Sequence, residues 1–314
     1  MNLEMRVLVI GDFLLDEYLF VSTNQFKLFL KSRKYALGGA ANLAALIKNE
    51  NIKIEVLAMT IFNKQTDTGK LVLMLCQNSL INTAHVINDD NMCVSRKLRI
   101  YEDTQLLIRV NDDCKNITTS ELIEIFLKKL KNIIKCVDIL VISDYCKGLL
   151  NDIMIKNIIA ICRKVNVPVF VDSKKSDGSL FRNAYLLKVN EREMLNLVSY
   201  YNINGKNIVS IAKSLYDKLN IEHLIITLAN EGLILVNVDR TCTITCKKQL
   251  EENCVGAGDY LLSQLCIGYL NSLDIISNVH RASDKTLTYL QKGRVLTEMS
   301  EIYKHEKNKQ KNCH

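Results

Sequence analysis

Asn253-Cys254-Val255-Gly256-Ala257-Gly258-Asp259-Tyr260-Leu261 reads as a glycine loop feeding a helix. From Leu261 onward Leu262, Leu265, Cys266, Tyr269 and Leu270 share one helical face, with Ser263, Gln264 and Gly268 on the other. Gly256 and Gly258 permit positive φ and close approach of the backbone, and the unpaired N–H groups of the first helical turn point at the same spot. Such a loop favours an anion, most often phosphate. An acid is electrostatically awkward there, which leaves Asp259 two readings. It either caps the helix or acts as a general base beside a transferring phosphoryl group.

The 314 residues are 48% hydrophobic, enough for a large core in one big domain or two small ones. Lys and Arg number 41 against 34 Asp and Glu, a net charge of +7, and are scattered except in the tail over 304–314, which is expected to fray. A mild basic excess without Trp or aromatic-basic interleaving suits small anionic substrates and argues against nucleic acid. The 11 cysteines show no paired C-x-x-C spacing, and Cys242 and Cys246 have no second pair or His nearby to complete a zinc site. Free thiols in a reducing cytoplasm are expected. The apolar run before Gly11-Asp12 is too short for a signal peptide, and no run approaches membrane-spanning length, so a cytoplasmic protein with no membrane partner is expected.

The run from Met5 to Ile10 predicts a buried strand, with Asp16 just beyond its carboxyl end, where ligands bind in open α/β sheets. Gly38-Gly39-Ala40-Ala41-Asn42 opens a second helix on a glycine doublet. Four of only 12 glycines thus sit in two helix-starting clusters. Residues 17–36 read as a β excursion, and Ser95–Tyr101 with Gln105–Val110 as a hairpin. Together they predict a small sheet serving as a lid. From residue 119 helices and strands alternate regularly, which implies a mainly parallel, doubly wound sheet. Ser143-Asp144-Tyr145-Cys146-Lys147-Gly148, Asp172-Ser173-Lys174 and Asn190 with Glu193 all follow strands. Asn190 and Glu193 share a helical face, where they could hold a hydrated Mg²⁺ and a phosphate oxygen, or form a cap, or both.

Gly38 to Asn42, Asn190-x-x-Glu193 and Gly256-Ala257-Gly258-Asp259 resemble, in this order, the signatures of the ribokinase (PfkB) carbohydrate kinases, and the resemblance covers nearly the whole chain. Val9-Ile10-Gly11-Asp12 with Leu15-Asp16, Ser143-Asp144-Tyr145-x-Lys147-Gly148 and Val171-Asp172-x-Lys174 are most similar to the heptose-7-phosphate kinase branch. The resemblance implies a ribokinase-like three-layer α/β/α domain over 1–303, with a β lid from about 17–36 and 95–111. It implies an enzyme that uses ATP and Mg²⁺ to phosphorylate the anomeric hydroxyl of a sugar phosphate. Asp259 would be the base, with Gly256, Ala257 and Gly258 donating backbone N–H groups to the phosphoryl. Asn190, Glu191, Arg192, Glu193, Thr227 and Gly232 would serve the nucleotide, with Glu193 on the metal side. Asp16, Gly39 and Asn42 would hold sugar hydroxyls, and Lys147 and Lys174 the 7-phosphate. Unpaired lid edges suggest a homodimer.

Three departures stand out. The family's Asp-x-Thr before the glycine loop reads Asn253-Cys254-Val255, and Ala229 replaces a glycine in Thr227-Leu228-Ala229-Asn230-Glu231-Gly232. The Arg-Ile-Ser-Pro-Glu lid segment of the heptose kinases is missing. Besides heptose 7-phosphate, another sugar, a nucleoside, or a non-catalytic binding role stay open.

Overall fold

Val7 and Val9 point into one hydrophobic core, Leu8 and Ile10 into another. The strand β1 (Arg6–Gly11) is therefore buried on both faces, as an unbroken apolar run requires. In this computed structural model the described residues are 5–24, 27–51, 53–103, 105–245 and 256–291. The expectations for Asn253, Cys254, Val255, Cys246 and the tail lie outside them.

The other strands are β2 (Phe13–Asn24), β3 (Lys27–Gly39), β4 (Glu55–Met59), β5 (Ser95–Glu102), β6 (Gln105–Asp112), β7 (Ile139–Asp144), β8 (Val169–Ser173), β9 (Leu186–Asn190), β10 (His223–Thr227), β11 (Leu233–Asn237) and β12 (Thr241–Ile244). The helices are α1 (Ala40–Glu50), α2 (Asp67–Asn78), α3 (Ser120–Ile133), α4 (Asp152–Lys164), α5 (Glu191–Tyr200), α6 (Ile208–Leu219), α7 (Ala257–Leu270) and α8 (Ile275–Gln291). Eight strands form the central sheet in the order β12-β11-β10-β9-β8-β7-β1-β4. Pairing is parallel from β4 through β10, and antiparallel for β11 and β12.

Phe126, Ile155, Leu197 and Leu215, from α3 to α6, pack on the face of Leu8. Leu43, Val72, Leu262 and Val279, from α1, α2, α7 and α8, pack on the face of Val7. The result is the expected three-layer α/β/α sandwich. Five helices start on side-chain caps, Thr66, Thr119, Asn151, Asn190 and Asn207, which satisfy N–H groups of the first turn.

A second sheet, ordered β3-β2-β5-β6, is the lid. It starts earlier than the sequence implies. Gly11 ends β1 with its Cα so close to β7 that a Cβ would lie 1.9 Å from the Ser143 carbonyl oxygen, and after Asp12 alone the chain is already in β2. Asp16 is therefore a lid residue within β2 rather than a residue at the end of β1.

Three other expectations need correction. Ser263, Gln264 and Gly268 are buried like their neighbours from Asp259 to Ile267, because α7 packs against α1 and α8 as well as the sheet. Asn278 of α8 fills the space beside Gly268 and donates to the Leu265 carbonyl at 2.8 Å, while Arg281 donates to Gln264 Oε1 at 3.1 Å. The helix α8 itself was not foreseen, although Ile275, Val279 and Ala282 carry its period. Finally, the cysteines are not all free: Cys93 and Cys114 form a disulfide, their Cα atoms 6.0 Å apart. Their separation of 21 positions gave no pairing signal, and only the β5–β6 hairpin brings them together. Among the described residues no helix is long and apolar enough to cross a membrane.

Candidate active site

Asp259 is the third residue of α7, whose first turn has no side-chain cap and whose N-cap, Gly256, takes the left-handed φ of +83° that favours glycine. Its carboxylate is spent elsewhere than on capping. Oδ2 accepts from Asn42 Nδ2 at 2.7 Å, and Oδ1 accepts from the Tyr145 hydroxyl at 3.1 Å. Burial pushes the Asp259 carboxyl above the ordinary range and the negative charge of Asp172 adds to this, against the Asn42 bond, the Lys188 ammonium and Tyr145. Burial and the Asp259 charge hold Tyr145 in its neutral, donating form.

Both partners are positioned by one buried acid, Asp12, which was not among the expected site residues. The Asp12 carbonyl accepts from Ala40 N at 3.0 Å and fixes the start of α1, which carries Asn42. Gly39, at φ +59°, makes this approach feasible, since a Cβ there would lie 2.4 Å from that carbonyl oxygen. The Asp12 side chain accepts from Tyr145 N at 2.9 Å and Lys147 N at 3.0 Å, shaping the turn after β7. Burial and then the Asp144 charge raise the Asp12 carboxyl to about 6. In the sequence Asp12 stood out as the strand break and as the end of Val9-Ile10-Gly11-Asp12, with no role attached to it.

On the other side of Asp259 lies a cavity of about 450 Å³. Asn190, Glu191, Arg192, Thr227 and Gly232 line it together with Ala257 and Gly258, so five of the six residues expected on the nucleotide side meet there with the glycine loop. Ser283, Thr286, Leu287 and Leu290 of α8 complete the wall. Glu193 is not on that wall. It forms a full capping box with Asn190, Glu193 N to Asn190 Oδ1 and Asn190 N to Glu193 Oε2, each at 2.9 Å. Burial and the charge of Asp172 raise the Glu193 carboxyl.

Gly258 is helical, so its value is space and not positive φ. A Cβ there would come within 2.9 Å of Lys188 Nζ. The Lys188 ammonium, on β9, is thereby set beside the loop, held by Asp172 Oδ2 of the neighbouring β8. Burial lowers the Lys188 pKa, but the Asp172 carboxylate outweighs it and the net shift is upward.

The lid supplies the third side. Asp16 pairs with Arg99 of β5 at 3.1 Å, and Gly38 leaves just enough room, because a Cβ would lie 3.1 Å from the Asp16 carboxyl carbon. Lys97, two residues before Arg99, places its ammonium 4.6 Å from the Tyr145 ring centre, and Lys174, after β8, lies 4.2 Å from the same centre. Burial lowers the Lys97 pKa, and Lys174 and Arg99 lower it further against the pull of Asp16 and Asp259. Lys97 and Arg99 were not foreseen, since a basic hairpin reads as a solvated one. Lys147, expected at the acceptor's phosphate, pairs with Asp113 at 2.6 Å, at the foot of the lid.

The description "pfkB family carbohydrate kinase" matches residues 5–284. The chain belongs to this family. Among curated relatives, the bifunctional protein HldE of Haemophilus influenzae (strain PittEE) is 30% identical over 271 residues, 83% of this chain and 54% of that protein. The bifunctional protein HldE of Campylobacter jejuni subsp. doylei is 28% identical over 306 residues, 95% of this chain and 64% of that protein. The chain thus spans less than two thirds of these relatives' length. Of solved structures, phosphofructokinase-2 from Escherichia coli in complex with substrates and products aligns at TM-score 0.70 and 15% identity, covering 92% of this chain and 99% of that one. Arabidopsis thaliana ribokinase complexed with ribose and ATP aligns at TM-score 0.68 and 16% identity, covering 92% and 93%. These likenesses establish the ribokinase-like fold.

Within the pfkB family frame the substitution at Ala229 has a structural consequence. Ala229 sits at φ +47°, in the left-handed region where glycine is at ease and an alanine costs roughly 1 kcal/mol. The turn is kept nonetheless, with Leu228 N donating to the Gly232 carbonyl at 2.8 Å.

Proposed function

We propose that the chain transfers the γ-phosphoryl group of ATP to the anomeric hydroxyl of a heptose 7-phosphate, giving heptose 1,7-bisphosphate for ADP-heptose synthesis. One observation carries the choice of a phosphorylated acceptor. Asp16 is matched by Arg99 and Asp172 by Lys188, whereas no carboxylate lies within ion-pair distance of Lys97 or Lys174 among the described residues. Two ammonium groups over one neutral ring, neither in a direct ion pair, are thus placed to bind an anion beside Asp259. A sugar phosphate supplies that anion; a neutral sugar or nucleoside does not.

In this reading Asp259 takes the proton of the anomeric hydroxyl, and Asn42 and Tyr145 hold its carboxylate in place. The raised Asp259 pKa makes it a stronger base than an exposed aspartate. The N–H groups of the first turn of α7 and the Lys188 ammonium face the negative charge that builds up on the phosphoryl oxygens. Bound Mg²⁺-ATP supplies the phosphoryl group and the metal's charge on its oxygens. Among the described residues no three His, Cys, Asp or Glu side chains cluster as a metal cage. This fits Mg²⁺, which keeps its waters and takes one or two carboxylates plus phosphates; Glu193 is the residue for that role. Asp16 and Asn42 remain the residues for the sugar hydroxyls, with Gly39 shaping the turn that presents Asn42.

Lys97→Met tests the acceptor assignment. The KM for heptose 7-phosphate should rise about 10–100-fold with kcat and the KM for ATP nearly unchanged, while turnover of unphosphorylated heptose should not respond. An equal effect on both acceptors would remove Lys97 from the phosphate.

The lid also supports a dimer. Its outer strands β3 and β6 expose Leu28, Phe29 and Leu30 on one edge and Ile108 and Val110 on the other, an apolar surface that a second copy would cover. Sedimentation should give a dimer at micromolar concentration; a monomer would count against pairing through the lids.

A further inference from the structure

The two bonded cysteines stand at the two feet of the lid hairpin. Cys93 precedes β5 and Cys114 follows β6, so the bond closes a loop that contains the whole hairpin. The surrounding contacts continue towards the site. The Asn116 side chain accepts from Cys93 N and donates to the Cys93 carbonyl, each at 2.9 Å, and Cys114 N donates to Ser95 Oγ at 2.9 Å. Asp113, next to Cys114, pairs with Lys147, whose own N–H is bonded to Asp12, the acid that shapes the Tyr145 turn. The first strand of the hairpin carries Lys97 and Arg99. Cys93 is exposed, as are the free thiols Cys136 and Cys146, whereas Cys76, Cys162 and Cys266 are buried thiols whose pKa burial pushes up, which makes them unreactive.

We propose that Cys93 and Cys114 are a thiol–disulfide modification site, through which a dithiol–disulfide couple sets how firmly the lid hairpin is held over the acceptor. Reduction begins when a thiolate of a dithiol reductant attacks the exposed Cys93 sulfur. The S–S bond breaks, and its electron pair leaves on the Cys114 sulfur, which takes up a proton. The reductant's second thiolate then displaces the Cys93 sulfur, which is protonated in turn, and the reductant departs as its own disulfide. Two electrons have moved from the reductant to the protein sulfurs, and an oxidised partner of the same class reverses both steps. With the bond closed, both feet of the hairpin are tied and the strand bearing Lys97 and Arg99 stays against the pocket. With it open, those feet are held by hydrogen bonds, the Asp113–Lys147 pair and the buried side chains of Met92 and Val94, and local opening becomes easier.

The effect on the lid is independent of the substrate; the effect on heptose 7-phosphate rests on the function proposed above. Hydrogen exchange is measured on the full chain after treatment with glutathione disulfide or with dithiothreitol, alongside Cys114→Ser. Exchange over residues 95–112 should rise about tenfold on reduction while β7 and β8 stay unchanged, and Cys114→Ser should match the reduced chain under both treatments. The KM for heptose 7-phosphate should rise severalfold on reduction, with the KM for ATP unaffected. Equal exchange in the two redox states would overturn the proposal, as would thiol titration that finds Cys93 and Cys114 both free after the disulfide treatment. A redox-dependent lid in a chain that does not phosphorylate heptose 7-phosphate would leave this proposal standing and remove the substrate assignment alone.

Discussion

Asp259→Asn should lower kcat by roughly 10²–10⁴ while ATP affinity and melting temperature change little. The Asn side chain keeps the size of the carboxylate and can still accept from Asn42 or Tyr145, but it cannot take up a proton at neutral pH. Because α7 is not capped by Asp259, the substitution removes no helix cap. Full activity in the Asn variant would remove Asp259 from the chemistry. The pH profile adds a second constraint. Burial and Asp172 raise the Asp259 pKa, so the acid limb of kcat/KM should lie above the range of an ordinary aspartate, and activity should be lost as pH falls through that raised value.

Lys188→Met should destabilise the fold by about 3–5 kcal/mol and also abolish most activity. Lys188 is 4% exposed, in the middle of the parallel sheet, and its ammonium is held by Asp172 on the adjacent strand. Removing it leaves Asp172, its side chain only 12% exposed, uncompensated near two other acids, Asp259 and Glu193, whose raised pKa values already reflect its charge. Adding Asp172→Asn should recover most of the lost stability, since the orphaned charge is gone, without recovering turnover. Denaturant unfolding of the two single variants and the double variant measures this directly. Additive losses in the double variant would show that the pair does not act as a unit.

Periodicity made the scaffold legible. Runs such as Val7 to Ile10 and Ile139 to Ile142 are apolar on every position because the sheet is covered on both faces, and the two glycine clusters announce helix starts at the site. The site itself was legible where one short segment carries it, as in Gly256 to Asp259 or Asn190 to Glu193. It was illegible where chain folding brings distant residues together. The Tyr145 hydroxyl bonded to Asp259 is 114 positions away, and the Asn42 amide 217. Neither separation leaves a trace in spacing. Lys188 left a trace that went unused: a lysine inside Leu186-Leu187-Lys188-Val189 sits in a buried strand, where a charge needs a partner and therefore implies one. Lys97 and Arg99 were hidden for the opposite reason, because alternating basic residues in a hairpin are what a solvated surface also shows. Asp16 was expected at the carboxyl end of β1 and lies within β2, since nothing local distinguishes the end of β1 from the beginning of β2.

The decisive measurement is phosphorus NMR of the purified chain incubated with Mg²⁺-ATP and heptose 7-phosphate. A new resonance from a phosphate on the anomeric carbon should appear in step with ADP release, and should grow roughly 10²–10⁴ times more slowly with Asp259→Asn. ADP release with a different sugar or a nucleoside, and none with heptose 7-phosphate, would contradict the assignment of the acceptor.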